Sequence, residues 1–154
     1  MITIFRIAPF AASLAAALAA AAPALAQEAI VRSPIPGSDF PIAESVEIPA
    51  GASLVYVSGA VPPAIVEGGD SADPATFGDT EMQTVNILNS IEQRLQRIGL
   101  GMGDVVMMRA YLVADPATGA MDFAGFMRGY TQFFGTDAQP NLPARSAFEV
   151  AGLA

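Results

Sequence analysis

Few residues of this chain can do chemistry, and the one that stands out is a cation. Arg145 sits in Pro143-Ala144-Arg145-Ser146, where a proline-bounded loop hands over to a strand. Strand alternation from Arg145 onward puts Arg145, Ala147 and Glu149 on one face and Ser146, Phe148 and Val150 on the other. A guanidinium at the mouth of a strand, beside small residues, can grip a planar carboxylate through two parallel hydrogen bonds. Spacing alone also allows a plainer role, a solvated or salt-bridged edge arginine.

Composition narrows what such a site can do. The chain has 154 residues, enough for one domain with a core that needs no disulfide or metal staple. It contains no Cys, His, Lys or Trp, so all seven cations are arginines. A Cys/His zinc site, a Ser-His-Asp or Cys-His pair, a histidine proton shuttle and a lysine Schiff base are therefore excluded. Catalysis has to rest on carboxylates, arginine, tyrosine, hydroxyls, backbone groups or water, and the sequence calls for neither metal nor cofactor. A net charge of −8, with scattered arginines, argues against nucleic acid as the main partner.

The elements that must position Arg145 follow from the pattern. Residues 1–26 read as a secretory signal: Arg6, an apolar run, then Ala24-Leu25-Ala26 at a small-x-small cleavage site. Cleavage there predicts a periplasmic or secreted protein with no membrane attachment afterwards. Residues 27–41, with four prolines or glycines, suggest an extended, weakly ordered leader. Ser45–Ile48 and Leu54–Ser58, the latter resuming to Val61, suggest a hairpin. A loop spans 62–79. A helix starts at Asp79-Thr80, with Thr80 and Gln83 at capping-box spacing, buries Met82, Val85, Leu88, Ile91, Leu95 and Ile98, and stops at Gly99. A strand runs from Val105 to about Val113. A second helix follows Asp122, with Phe123, Phe126, Met127, Tyr130, Phe133 and Phe134 on its core face, and stops at Gly135. The order is ββαβαβ, an α+β domain whose two helices cover one side of a mixed sheet. The bare sheet face calls for a partner, which a homo-oligomer would supply.

From about Ile42 to Ala154 the chain resembles the Rid family of reactive intermediate deaminases, also called YjgF-like or L-PSP endoribonuclease-like. The resemblance is carried by Val57-Ser58-Gly59-Ala60-Val61-Pro62, Thr80-x-x-Gln83-Thr84, Gly103-Asp104-Val105-Val106, Asp122-Phe123, Tyr130-x-x-Phe133-Phe134-Gly135 and above all Pro143-Ala144-Arg145-Ser146. It implies a chorismate-mutase-like fold over 42–154, assembled as a homotrimer with clefts between subunits. It also implies hydrolysis of small enamine or imine acids, such as 2-aminoacrylate, to 2-keto acids and ammonia. By the same resemblance Arg145 binds the substrate carboxylate and serves catalysis, and Ser58, Gly59 and Ala147 line the cleft.

The chain departs from that pattern in its polar groups. The sequence ends at Ala154, before the strand whose glutamate orients the attacking water in the family, and Glu149 lies roughly 13 Å from Arg145 at strand rise. Asp39-Phe40-Pro41-Ile42 carries no tyrosine, Ala147 stands where the family has a thiol, and Met127 where it has an asparagine. A non-catalytic trimer binding small carboxylates is the alternative expectation. An endoribonuclease ranks third, because the acidic chain offers little to phosphates.

Overall fold

The computed structural model describes residues 29–153; the signal segment expected over 1–26 lies outside them. The order of elements is the expected ββαβαβ, but the strand expected at Ser45–Ile48 is the second here, and its partner precedes it rather than following at Leu54–Val61. Strand β1 is Val31–Pro34 and β2 is Ala43–Glu47, paired antiparallel. The turn between them is set at Pro36-Gly37, where Gly37 takes the positive φ of 69° that a side chain would resist. Part of the stretch read as a weakly ordered leader is thus a strand.

The expected second hairpin strand does not form. Leu54–Val61 makes no sheet pairing and lies on the surface, with Tyr56 90% exposed. Its apolar, β-branched composition marks it as strand-capable, but β2 takes Val31–Pro34 as its hairpin partner instead. The long loop that follows is pinned by a 3-10 turn, Pro74–Phe77, which buries Thr76 and is capped by the Asp73 carboxylate.

Helix α1 spans Thr80–Gln96 and α2 spans Phe123–Tyr130. The N-cap of α1 is Asp79, whose carboxylate accepts from Met82 N at 2.8 Å. Thr80 is already helical and Gln83 Nε2 instead donates to the Gly78 carbonyl, so the Thr80/Gln83 box is not the cap used. Asp wins because its side chain is one residue earlier, where the backbone is still extended. Leu88 and Leu95 of the expected face are buried, whereas Met82 and Ile98 at its ends are exposed. The two helices cross on small residues. A Cβ at Gly129 would stand 2.7 Å from Thr84 Cβ and 2.9 Å from the Glu81 carbonyl, and one at Gly125 would stand 3.0 Å from Thr80 Cβ.

Strands β3 (Met107–Val113) and β4 (Ala144–Val150) pair in parallel, with α2 in the connection, as a parallel pair requires. In this register Met108/Arg145, Ala110/Ala147 and Leu112/Glu149 face the helices. The core behind them is Leu88, Leu95, Met102, Leu112, Phe126, Tyr130 and Phe134, so the aromatic stripe of α2 is core, as expected. Met107, Tyr111, Val113 and Phe148 are exposed on the opposite face, with Tyr111 stacked on Phe148 at 5.8 Å. The sheet is therefore helix-covered on one side and bare on the other.

Two links join the β1/β2 pair to the β3/β4 pair. Ala43 N donates to the Pro143 carbonyl at 3.0 Å. Arg32 donates from Nη1 to the Val105 and Leu142 carbonyls at 2.9 and 2.8 Å, and from Nη2 to the Gly103 carbonyl at 2.8 Å. Burial holds this guanidinium below its ordinary pKa, with nearby Asp104 opposing the shift.

Candidate carboxylate site at Arg145

Arg145 leaves the Pro-rich loop on the helix-facing side of β4 and meets the aromatic stripe of α2. Its guanidinium carbon lies 4.5 Å from the Tyr130 ring centroid, 4.9 Å from Phe126, 5.4 Å from Phe40 and 5.6 Å from Phe123. Four ring faces present negative quadrupole to one cation. Nη1 donates to the Met127 thioether at 2.9 Å, a weak acceptor. Nε is buried and has no hydrogen-bond partner. No carboxylate of the described residues is paired with this arginine, so the salt-bridged edge role is not the one it has. Burial pulls its pKa below the ordinary guanidinium value, with Tyr130 opposing. Rings compensate the charge in part but satisfy few of its five donors.

Tyr130 anchors the other side of the cage. Its hydroxyl donates to the Pro41 carbonyl at 2.9 Å, and burial pushes its pKa up to about 12 despite the opposing pull of Arg145. That bond ties α2 to the segment entering β2 and so holds Phe40 near the guanidinium. Phe123, Phe126 and Tyr130 stack in sequence along the helix, at 6.1 and 5.8 Å, which leaves the cage little freedom.

A depression of about 400 Å³ lies between β2 and the N-terminal ends of β3 and β4, and residue Arg145 contributes to its wall, although none of the groups that cage the guanidinium does. Its walls are largely apolar, from Ile35, Ile42, Ala43 and Met107, and its polar groups are Arg145, Ser146 and Glu44.

The other expected site residues fall differently. Ala147 is half-buried two residues beyond Arg145 on the same face, packed against the core. Ser58 and Gly59 lie on the exposed Leu54–Val61 segment, where their carbonyls accept from Arg94 Nη1 at 3.3 and 3.4 Å. Neither lines the Arg145 depression of this protomer. Glu149 is spent on the backbone, accepting from Met121 N at 2.7 Å. Sequence reasoning passed over Phe40 as part of the site. The aromatic stripe was a usable signal for the rest of the cage, since it had to face the side of β4 that carries Arg145.

No curated protein matches the chain. Among solved structures it is similar to a putative endoribonuclease L-PSP from Entamoeba histolytica, at 28% identity over 81% of this chain and 87% of that one, TM-score 0.47. It is similar as well to a YjgF/YER057c/UK114-family protein from Mycobacterium tuberculosis, at 26% identity over 81% and 87%, TM-score 0.46. A third, a protein from Pseudomonas aeruginosa, shares 26% identity over 79% and 84%, TM-score 0.46. The family model described as endoribonuclease L-PSP matches residues 41–154, a span that takes in both helices, β2–β4 and the Arg145 cage apart from Phe40. The chain belongs to that family, the YjgF or Rid family that its motifs resemble.

Proposed function

We propose that the protein binds small 2-imino or enamine acids through Arg145 and hydrolyses them to 2-keto acids and ammonia. The observation that carries this reading is a buried guanidinium whose Nε has no partner and whose other contacts are rings and a thioether. Leaving a buried donor unpaired is costly, and an incoming carboxylate removes that cost while adding charge-assisted bonds. The imine carbon is already electrophilic, so water addition needs positioning and a proton relay more than a strong nucleophile. A chain without His, Cys or Lys can supply that. Ser58 and Gly59 would join the site from a neighbouring subunit, in a homotrimer that also covers the bare face of β3 and β4. The export signal would place this activity in the periplasm or outside the cell.

The test is imine hydrolysis with an amino-acid oxidase generating the imine in place and semicarbazide trapping what remains. Wild-type protein should lower the trapped signal and Arg145→Ala should not. No effect with any of several amino acids would sink the hydrolase.

A second reading, a non-catalytic trimeric module for small carboxylates, is favoured by the surroundings of the guanidinium. Of the groups touching it only Tyr130 carries an exchangeable proton, and that hydroxyl is committed to Pro41 with a pKa pushed up to about 12. Carboxylate binding without hydrolysis is its signature. The RNA cleavage in the family's name ranks below both, since a chain of net charge −8 offers phosphates little; salt-sensitive RNA binding would revive it.

A further inference from the structure

Among the described residues one sulfur accepts a hydrogen bond, and it is the sulfur beside the caged guanidinium. Arg145 Nη1 donates to the Met127 thioether at 2.9 Å, while Nε of the same guanidinium is buried without a partner. The other methionines of the fold sit elsewhere: Met102 is core, Met108 and Met121 pack against it, and Met82 and Met107 are exposed. Met127 lies on the last turn of α2 and is half-buried, unlike the buried Phe126 and Tyr130 that touch the same guanidinium. A thioether is a weak acceptor, so the cation gains little from it. A sulfoxide at the same atom carries a polar oxygen. In an ordinary core that oxygen finds no donor and disrupts packing. Beside Arg145 the donors are already waiting.

We infer that Met127 is an oxidation site that controls Arg145: as the sulfoxide it bonds the guanidinium in place of a ligand carboxylate and closes the site. This rests on the carboxylate-binding reading of Arg145. Methionine is unbranched with three rotatable bonds, so the new oxygen can turn to the guanidinium while α2 stays in place. The bond it forms is charge-assisted on the arginine side and therefore stronger than the one it replaces. Being tethered, the sulfoxide also competes without the loss of translational freedom that a free carboxylate incurs on binding.

The oxidant is a peroxide. A lone pair of the Met127 sulfur attacks one peroxide oxygen, and the O–O bond breaks with its pair on the other oxygen. The proton of the attacked oxygen passes to the departing one, which leaves as water. Sulfur is oxidised by two electrons and the peroxide reduced by two, so thioether and hydrogen peroxide become sulfoxide and water. A guanidinium in contact with the sulfur stabilises the negative charge that develops on the departing oxygen. Two thiols of a methionine sulfoxide reductase return the sulfoxide to the thioether, giving a disulfide and water, so the control is reversible.

The experiment compares wild type with Met127→Leu, Met107→Leu and Met127→Gln, each before and after treatment with hydrogen peroxide. Peptide mass spectrometry locates the sulfoxides, and NMR titration with pyruvate, a stable small carboxylate, reads the site. Wild type oxidised at Met127 should bind pyruvate about tenfold more weakly than before treatment, and methionine sulfoxide reductase should restore the affinity. Met127→Leu should bind equally before and after peroxide, whereas Met107→Leu, which removes an exposed sulfur, should lose affinity as wild type does. Met127→Gln, whose amide oxygen is a permanent acceptor of similar reach, should bind weakly without oxidant. The Arg145 Nε–H resonance should move on oxidation of wild type but not of Met127→Leu, a mark of the new bond that general loosening of the fold would not leave. Met127 still a thioether under peroxide that fully converts Met82 and Met107, unchanged pyruvate affinity once Met127 is oxidised, or an equal loss in Met127→Leu overturns the inference while leaving Arg145 in place. No pyruvate uptake by untreated wild type overturns the carboxylate site and its control by Met127 together.

Discussion

Arg32 and Arg145 are both arginines on short strands, both withdrawn from water, both held below their ordinary pKa by that burial, and neither is paired with a carboxylate. Their surroundings differ in kind. Arg32 spends its donors on three backbone carbonyls, at 2.8 to 2.9 Å, from the loops that precede β3 and β4. Arg145 has four rings, a thioether and an unpartnered Nε. The first arrangement is complete, so it serves the fold. The second leaves hydrogen-bonding capacity over, and that surplus is what a ligand can use. Burial of a charge does not by itself tell a strut from a site; the count of satisfied donors does.

Placing the same side chain at both positions should separate them most sharply. Arg32→Met leaves the Val105, Leu142 and Gly103 carbonyls without their charged donor and should cost about 2–4 kcal/mol in a urea titration. Arg145→Met removes a poorly satisfied charge from among rings and should stay within about 1 kcal/mol of wild type. Equal losses at the two sites would erase the distinction. Next in size, Arg145→Ala should weaken pyruvate by at least about 30-fold, with far-UV circular dichroism unchanged, whereas conservative Arg32→Lys should leave affinity alone.

Tyr130→Phe keeps the ring over Arg145 but loses the bond to the Pro41 carbonyl, for about 1 kcal/mol of stability. It should also alter the alkaline limb of stability. The folded protein holds the phenol neutral, with its pKa raised from 10.0 to about 12, so this stabilisation is complete below pH 10 and is lost as pH rises through about 12. The Phe variant lacks that loss, and urea midpoints measured from pH 9 upward would reveal a matching decline if Tyr130 were not its source. The smallest effect is expected at Arg128, whose 2.6 Å pair with Glu81 stands in solvent. Arg128→Ala should leave the unfolding midpoint almost unmoved, with salt removing whatever remains. A large effect there would mean that surface arginines matter more to this fold than the buried clamp suggests.

Much of the helical half was legible in the residues. Apolar spacing marked α1 and α2, Asp122 marked the start of the second helix although it ends at Tyr130, short of the expected stop at Gly135, and alternation placed Arg145 and Ala147 on a common face. These patterns are local, because helix period and strand alternation are properties of neighbouring residues. Strand pairing is not. Leu54–Val61 has the better strand composition, yet Val31–Pro34, carrying two non-apolar residues and a proline, is the segment that pairs with β2. It is anchored there by Arg32, whose three carbonyl bonds span more than seventy residues of chain and leave no trace in local composition.

The candidate site divides along the same line. By itself the sequence determined that a guanidinium would stand at the mouth of the last strand, that no His, Cys or Lys would assist it, and that an aromatic helix face lay upstream. Only the tertiary structure decided that this face closes on Arg145, that Phe40 completes the cage, and that Nε is left without a partner. The physical reason is distance along the chain. Residue type sets what a side chain can donate, accept or stack on, whereas which groups remain unsatisfied depends on neighbours that only the packed fold brings within reach.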